Sequence, residues 1–265
     1  MSGSGQPAAY QPAKLPEILP VAPGDILAAL KAGLADFIRA PQFGLFFGGI
    51  FAAGGLVILA SLTLFDMPWM ILPVAIGFPL VGPFVAVGLY EVSRRLAAGE
   101  PLGWREVLIV VFRQRERQLG WMAFVVLFIF WIWIYQVRLL LALFLGFKSF
   151  SSIDAFVTII TTTPEGLGFL GVGTLVGAGL AFILFSSTVI AIPLLLDSEL
   201  DFVSAMITSF KTVLKSPVAM LGWGIVVTVL AVLAMLPAFL GLIVVLPVLG
   251  HATWHLYRRA VVKVD

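Results

Sequence analysis

The sequence predicts an all-α integral membrane protein in which six transmembrane helices form three hairpins. A cytoplasmic-side amphipathic helix precedes each hairpin, giving a pseudo-threefold repeat. Hydrophobic residues make up 61% of the 265-residue chain and charged residues only 11%, whereas soluble domains contain about 25% charged residues. The apolar residues form segments long enough to span a bilayer, and lysine and arginine gather on one side of these segments.

Six apolar segments come close to the roughly 20 residues that a helix needs to cross the hydrocarbon core. They are residues 43–65, 69–90, 119–137, 166–196, 217–235 and 238–257. The very short links at residues 66–68 and 236–237 predict tight hairpins. Residues 139–147 either extend the third helix or lie along the outer interface. Residues 152–162 are predicted to form a surface helix, followed by Thr163 as N-cap of the fourth span and Pro164 at its first position.

The positions of lysine and arginine predict the orientation. Fourteen of the 16 lie before the first span, in the second-to-third and fourth-to-fifth loops, or at the C-terminus. Because cytoplasmic loops are enriched in these residues, both termini are predicted to be cytoplasmic. Of the other two, Lys148 lies in an opposite-side loop. Arg138 ends the third span, where it either snorkels to the outer boundary or pairs with Glu165 or Asp154.

The chain is predicted to hold one folded domain. Residues 1–23 lack the apolar run of a signal peptide and are predicted to be a disordered cytoplasmic tail, followed by a single transmembrane domain over residues 24–265. Cysteine is absent, which excludes disulfides, thiolate metal sites and a cysteine nucleophile. Neither a phosphate-binding glycine loop nor a recognisable catalytic motif occurs. We therefore expect a non-enzymatic protein without a cofactor.

Amphipathic segments precede the first, third and fifth spans with matching internal spacing. The first segment has Leu30, Leu34, Arg39 and Pro41, and the last has Met206, Phe210, Lys215 and Pro217. The middle segment has Leu108, Phe112 and Arg117 at the same intervals, with Leu119 in place of proline. Asp25 and Asp201 are the predicted N-caps of the first and last. The alternative is that these helices are the ordinary interfacial helices of a polytopic protein.

The two histidines, His251 and His255, lie one helical turn apart and therefore share a helical face. This geometry can supply one edge of a metal or haem site. The candidate carboxylates for completing such a site with the histidines are Glu91, Asp197, Glu199 and Asp201. Alternatively, the histidines belong to the belt of polar-tipped rings at the membrane boundary, beside Trp254 and Tyr257. A proton relay is a third interpretation.

Prolines and small residues mark further candidate positions. Helix kinks are predicted at Pro79, Pro83, Pro193 and Pro247. Such kinks occur at transporter sites but also in membrane helices generally. The pairs Gly44/Gly48 and Gly173/Gly177 have the small-xxx-small spacing that lets helices approach closely, either within the chain or between copies.

A group of arginines in the second-to-third loop predicts contact with anionic lipid headgroups rather than with nucleic acid. Its members are Arg94, Arg95, Arg113, Arg115 and Arg117. The predicted partners are therefore membrane lipids, together with other membrane proteins or further copies of the chain.

Two signatures resemble an uncharacterised bacterial family, the predicted integral membrane proteins of domain-of-unknown-function family 2189. They are FPLVGPF at residues 78–84, followed by GLYEVSRR at 88–95, and LIVVLPVLGHATWHLYR at 242–258. The resemblance implies a location in the bacterial inner membrane, and it supplies no activity. Members are sometimes labelled as related to the first subunit of cytochrome c oxidase. That label implies a twelve-helix protein with six metal-binding histidines. This chain has six predicted spans and two histidines, so it does not fit the label.

Three functional hypotheses follow from the sequence. The first is an accessory, scaffold or assembly protein for other membrane complexes, with respiratory and photosynthetic complexes as candidates. The second is a transporter of a small solute or lipid, based on the repeat and the proline kinks. The third is a metal or haem binder that uses His251 and His255.

Overall fold

The structure, a computed structural model, describes residues 15–65, 71–115, 118–146 and 153–262. The all-α prediction is confirmed for these residues, whose only β-contact is an isolated antiparallel bridge between Ile18 and Val261. The helices are α1 Pro23–Arg39, α2 Pro41–Thr63, α3 Ile71–Ala98, α4 Trp104–Arg115, α5 Leu119–Leu145, α6 Ile153–Thr162, α7 Pro164–Thr188, α8 Ala191–Asp197, α9 Phe202–Lys215, α10 Pro217–Met235 and α11 Leu242–Ala260.

Four helical stretches in the described residues are long and apolar enough to cross a membrane: Pro41–Thr63, Leu119–Leu145, Pro164–Asp197 and Pro217–Met235. They coincide with the predicted first, third, fourth and fifth spans. The predicted second and sixth spans lie in α3 and α11, which are not among the four. The second half of α11 is polar and includes both histidines and Arg258. The arrangement of six spans in three hairpins is therefore not confirmed.

The junctions α1–α2 and α9–α10 have the same backbone geometry. Ala40 has φ −135° and ψ 54°, and Ser216 has φ −134° and ψ 59°. In both cases proline opens the next helix, where its missing N–H needs no partner. The first and last amphipathic segments are thus alike at this break. Residues 116–117 lie outside the description, so the middle junction is not compared.

The caps of these helices only partly agree with prediction. Asp201 is the N-cap of α9 and accepts a 2.9 Å hydrogen bond from the Ser204 amide. Asp25 is not the N-cap of α1. Pro23 starts that helix earlier, so Ala22 takes the capping position and Asp25 accepts a 2.9 Å bond from the Ala22 amide. The position of Pro23 therefore decided this boundary.

Helix α11 packs against both α1 and α2. Its first half packs on α2, where a Cβ on Gly48 would lie 2.6 Å from the Ile243 carbonyl oxygen. Its second half packs on α1, where a Cβ on Gly33 would lie 2.5 Å from the Ala252 nitrogen. The segment before α1 also contacts the end of α11, where the Leu19 amide donates to the Ala260 carbonyl over 2.8 Å. Of the predicted tail, residues 1–14 lie outside the description.

Helix α5 packs against α3 and α7. Residues up to Leu145 continue α5, so that part of the ambiguous stretch extends the third helix. The surface helix appears as α6, and Thr163 caps α7 by accepting a 3.0 Å bond from the Gly166 amide. A turn at Val189–Ile190 separates α7 from α8. Pro193 explains this turn because its nitrogen carries no hydrogen to donate to the Val189 carbonyl, four residues earlier.

Candidate functional site

Four polar side chains meet where α1, α3 and α11 come together. Ser93 Oγ lies 2.8 Å from His251 Nδ1, and both residues are fully buried. One turn further along α11, His255 Nε2 lies 2.7 Å from Asp36 Oδ2. Asp36 is itself buried although α1 is amphipathic. We call Asp36, Ser93, His251 and His255 the polar junction, because it ties three helices together.

Electrostatics favour an ionised Asp36. Burial by itself raises the pKa of this carboxyl, but hydrogen bonds from His255 and Ser93 act in the opposite direction. The charges of the histidines add to this effect, so the pKa lies below its usual value of 3.8. With Asp36 ionised, the polar junction therefore stabilises the docking of α1 on α11.

The structure brings the two histidines together on one face but gives them different partners. His251 pairs with Ser93 and His255 with Asp36, and His251 Nε2 is buried without a hydrogen-bond partner. Within the part of the chain that the structure describes, no group of three His, Asp or Glu residues could hold a metal ion. Metal or haem binding stays a prediction without structural support.

The carboxylate next to His255 is one that sequence reasoning missed. The four candidates were Glu91, Asp197, Glu199 and Asp201, whereas the partner is Asp36 from the first amphipathic helix. The sequence held a usable signal. Asp36 falls on the same face of α1 as the buried Ala29 and Gly33, and an acidic residue on an apolar helix face needs a partner.

A second polar cluster lies at the end of α3. The buried carboxylate of Glu91 accepts bonds from Arg94 Nε at 2.7 Å and Arg95 Nε at 2.6 Å. Glu100 accepts from Arg94 as well, over 2.9 Å. Arg94 and Arg95 are thus already paired with carboxylates, which weakens the prediction that they contact lipid headgroups. Arg113 is exposed, while the Arg115 side chain and Arg117 lie outside the description.

The two predicted small-residue pairs have different surroundings. Gly44 and Gly48 lie directly against α11: a Cβ on Gly44 would lie 2.5 Å from the Phe37 ring and 3.2 Å from Pro247. A Cβ on Gly173 would meet only Leu140, at 3.6 Å, and one on Gly177 would have no neighbour within 4 Å. Only the first pair therefore lies at a close helix contact within the chain.

The backbone differs among the four predicted kink positions. Helices α3 and α11 continue through Pro79, Pro83 and Pro247, while the chain turns just before Pro193.

Arg138 is exposed on α5, about 28 Å along the helix from Leu119 at 1.5 Å per residue. It forms no ion pair with a carboxylate in the described residues. This position agrees with snorkelling at the far boundary.

Four described cavities lie between helices, and apolar side chains line each of them almost completely. The largest, about 390 Å³, lies between α2, α3 and α11. The others lie between α5 and α9, between α5 and α7, and between α7 and α10, with volumes of about 380, 220 and 320 Å³. Their linings suit apolar groups.

Long apolar helices, exposed apolar side chains and internally paired charges define a multi-pass integral membrane protein. A family model described as "Predicted integral membrane protein (DUF2189)" matches residues 71–197. The resemblance seen in the sequence is therefore confirmed over residues 71–197, from α3 to the end of α8, which include the first signature; the second signature at residues 242–258 lies outside the match. No curated protein and no solved structure matches the chain.

Proposed function

We propose that this chain is a non-enzymatic accessory, scaffold or assembly protein for other complexes of the bacterial inner membrane. Respiratory and photosynthetic complexes are the candidates. The observation that supports this role most directly is the exposure of α5. Only 6% of the residues in its most apolar window are buried within the chain, against 50% for the window in Pro164–Asp197. Such a helix packs against α3 and α7 but leaves one side available to lipid or to another protein.

One face of α5 has the character of a protein contact. Trp121, Phe124, Phe128, Trp131 and Tyr135 follow one another at intervals of three and four residues and are 41–61% exposed. We call these five residues the aromatic stripe. Rings stack within it, as in the Phe124–Phe128 pair, whose centroids are 6.2 Å apart. This seven-residue periodicity is the pattern by which helices pack side by side at small crossing angles.

Lipid contact alone gives no reason for the aromatic stripe. Tryptophan and tyrosine favour the two membrane interfaces, yet the stripe continues through Phe128 and Trp131, about 14 and 18 Å from the start of α5. A partner helix with small residues could bury these rings by close packing. The four apolar cavities meanwhile offer little support for transport of a polar solute.

The proposal includes the topology of six spans with cytoplasmic termini. Helix α3 follows α2 after a short link, and its first part, residues 71–90, contains no charged side chain. Helix α11 follows α10 through a turn at residues 236–241. Both features support α3 and α11 as the returning helices of hairpins. The distribution of lysine and arginine supports the orientation.

Purification of the tagged protein from native membranes in mild detergent tests the proposal. Mass spectrometry should identify a membrane protein that co-purifies in a fixed ratio. Replacement of Phe124, Phe128 and Trp131 by leucine should remove that partner while the chain still inserts. The control is Trp133→Leu, an exposed aromatic of the same helix that faces the α5–α7 cavity. A clean homo-oligomer without a partner, or equal losses in both variants, would contradict the role.

A further inference from the structure

The groove between α5 and α9 has the form of a lipid-binding site. Val125 of α5 and Phe202, Met206 and Phe210 of α9 line its apolar part. Its volume of about 380 Å³ falls in the range of ligand pockets, roughly 300–1,000 Å³. Val125 lies about 9 Å along α5 from Leu119. The groove therefore begins close to the membrane boundary and not at the centre of the bilayer.

A lysine stands at the edge of this apolar groove. Lys211 lines it, is exposed, and forms no hydrogen bond or ion pair with the described residues. Its helical neighbours Ile207 and Leu214 are exposed and apolar. A cation on an apolar helix face extends its ammonium group to the headgroup level while its methylenes stay in the hydrocarbon. Lys211 thus offers a positive charge beside an apolar slot.

Several other basic groups of the described residues are already paired. Arg94 and Arg95 are paired with Glu91, and Arg258 and Arg259 with Asp197 and Asp25. Lys215, one turn from Lys211, donates to the Ile18 carbonyl over 2.7 Å. Lys211 therefore combines an available charge with an adjoining apolar groove.

We infer that the α5–α9 groove binds one anionic phospholipid of the surrounding membrane. An acyl chain fills the apolar part between Val125 and Met206, and the phosphate binds the Lys211 ammonium group. Charge complementarity selects the anionic headgroup, because a basic side chain near the surface attracts anionic lipid. The amphipathic α9 holds the site at the interface, where its apolar face contacts the acyl region. The site would anchor α9 next to the exposed α5.

Native mass spectrometry of the full-length protein in detergent tests this site. Phosphatidylglycerol and phosphatidylcholine with identical acyl chains are titrated separately. The wild type should retain one phosphatidylglycerol with clear preference. Lys211→Gln should weaken phosphatidylglycerol binding about five-fold, since one such charge contributes about 1 kcal/mol, and should weaken binding of the zwitterionic phosphatidylcholine less, so that the preference falls. Lys211→Arg should keep the preference.

A second variant tests the apolar part of the groove. Ile207→Trp places a bulky ring in the slot and should weaken binding of both lipids. The matched control for Lys211→Gln is Lys31→Gln. It removes an exposed lysine from the amphipathic helix α1 and should leave the affinities for both lipids unchanged. Unfolding temperatures close to the wild type confirm that each variant folds. Equal losses for Lys211→Gln and Lys31→Gln, or displacement of the lipid by millimolar inorganic phosphate, would overturn the assignment.

Discussion

Substitution of Gly48 by alanine tests the contact that joins α2 to α11. The new Cβ would lie 2.6 Å from the Ile243 carbonyl oxygen and 2.9 Å from Pro247 Cγ. Backbone and proline ring atoms cannot turn aside as a flexible side chain can, so the two helices must separate. Overpacking of this kind costs about 1–3 kcal/mol. We expect the free energy of unfolding of Gly48→Ala to fall by that amount less the roughly 0.8–1 kcal/mol by which alanine favours a helix over glycine, a net loss of up to about 2 kcal/mol.

The neighbouring glycine provides a matched control. A Cβ on Gly49 would have no neighbour within 4 Å, and alanine favours a helix over glycine by about 0.8–1 kcal/mol. Gly49→Ala should therefore match or exceed the wild type. Thermal unfolding in detergent, followed by tryptophan fluorescence, compares the three proteins. At about 2–4 °C per kcal/mol, Gly48→Ala should unfold several degrees lower. Equal unfolding temperatures for the two variants would refute this packing.

Three further predictions concern the charged groups. Because the pKa of Asp36 is lowered on folding, its stabilisation is present above pH 3.8 and is lost as the pH falls through the folded pKa. Asp36→Asn should therefore show a shallower loss of unfolding temperature below pH 4 than the wild type. Glu91→Gln should lower the unfolding free energy by about 1.5–3 kcal/mol, since it removes charge-assisted bonds from two arginines; denaturant titration measures this loss. Arg259→Ala, which breaks an exposed pair, should cost at most about 1 kcal/mol by the same titration.

Local features of this fold could be predicted from the sequence because they depend on nearby residues. Thr163 and Asp201 are N-caps since their oxygens reach an amide three residues ahead. The breaks before Pro41 and Pro217 follow from proline chemistry. The N-cap at Asp25 was wrong because Pro23 can also open a helix. Length and apolar composition sufficed for the four candidate spans.

Contacts between distant segments could not be predicted in the same way. The spacing of His251 and His255 showed that they share a face, but not that Ser93 and Asp36 would each take one of them. Likewise, Gly48 and Gly177 both occur in small-xxx-small pairs, yet only Gly48 meets another helix within 4 Å. Helix packing decides such partners, and it depends on the shape of both surfaces. The pairing of Arg94 and Arg95 with Glu91 was missed because charge counting predicts topology alone.

Photo-crosslinking in intact membranes tests the central claim that α5 binds another membrane protein. A photoreactive amino acid replaces Phe128 in the aromatic stripe or, as a control, the exposed Val229 on α10. Illumination should join Phe128 variants to one protein of defined mass, while Val229 variants give no such adduct. The same protein should appear in the detergent co-purification. Adducts with lipid alone at both positions would contradict the account.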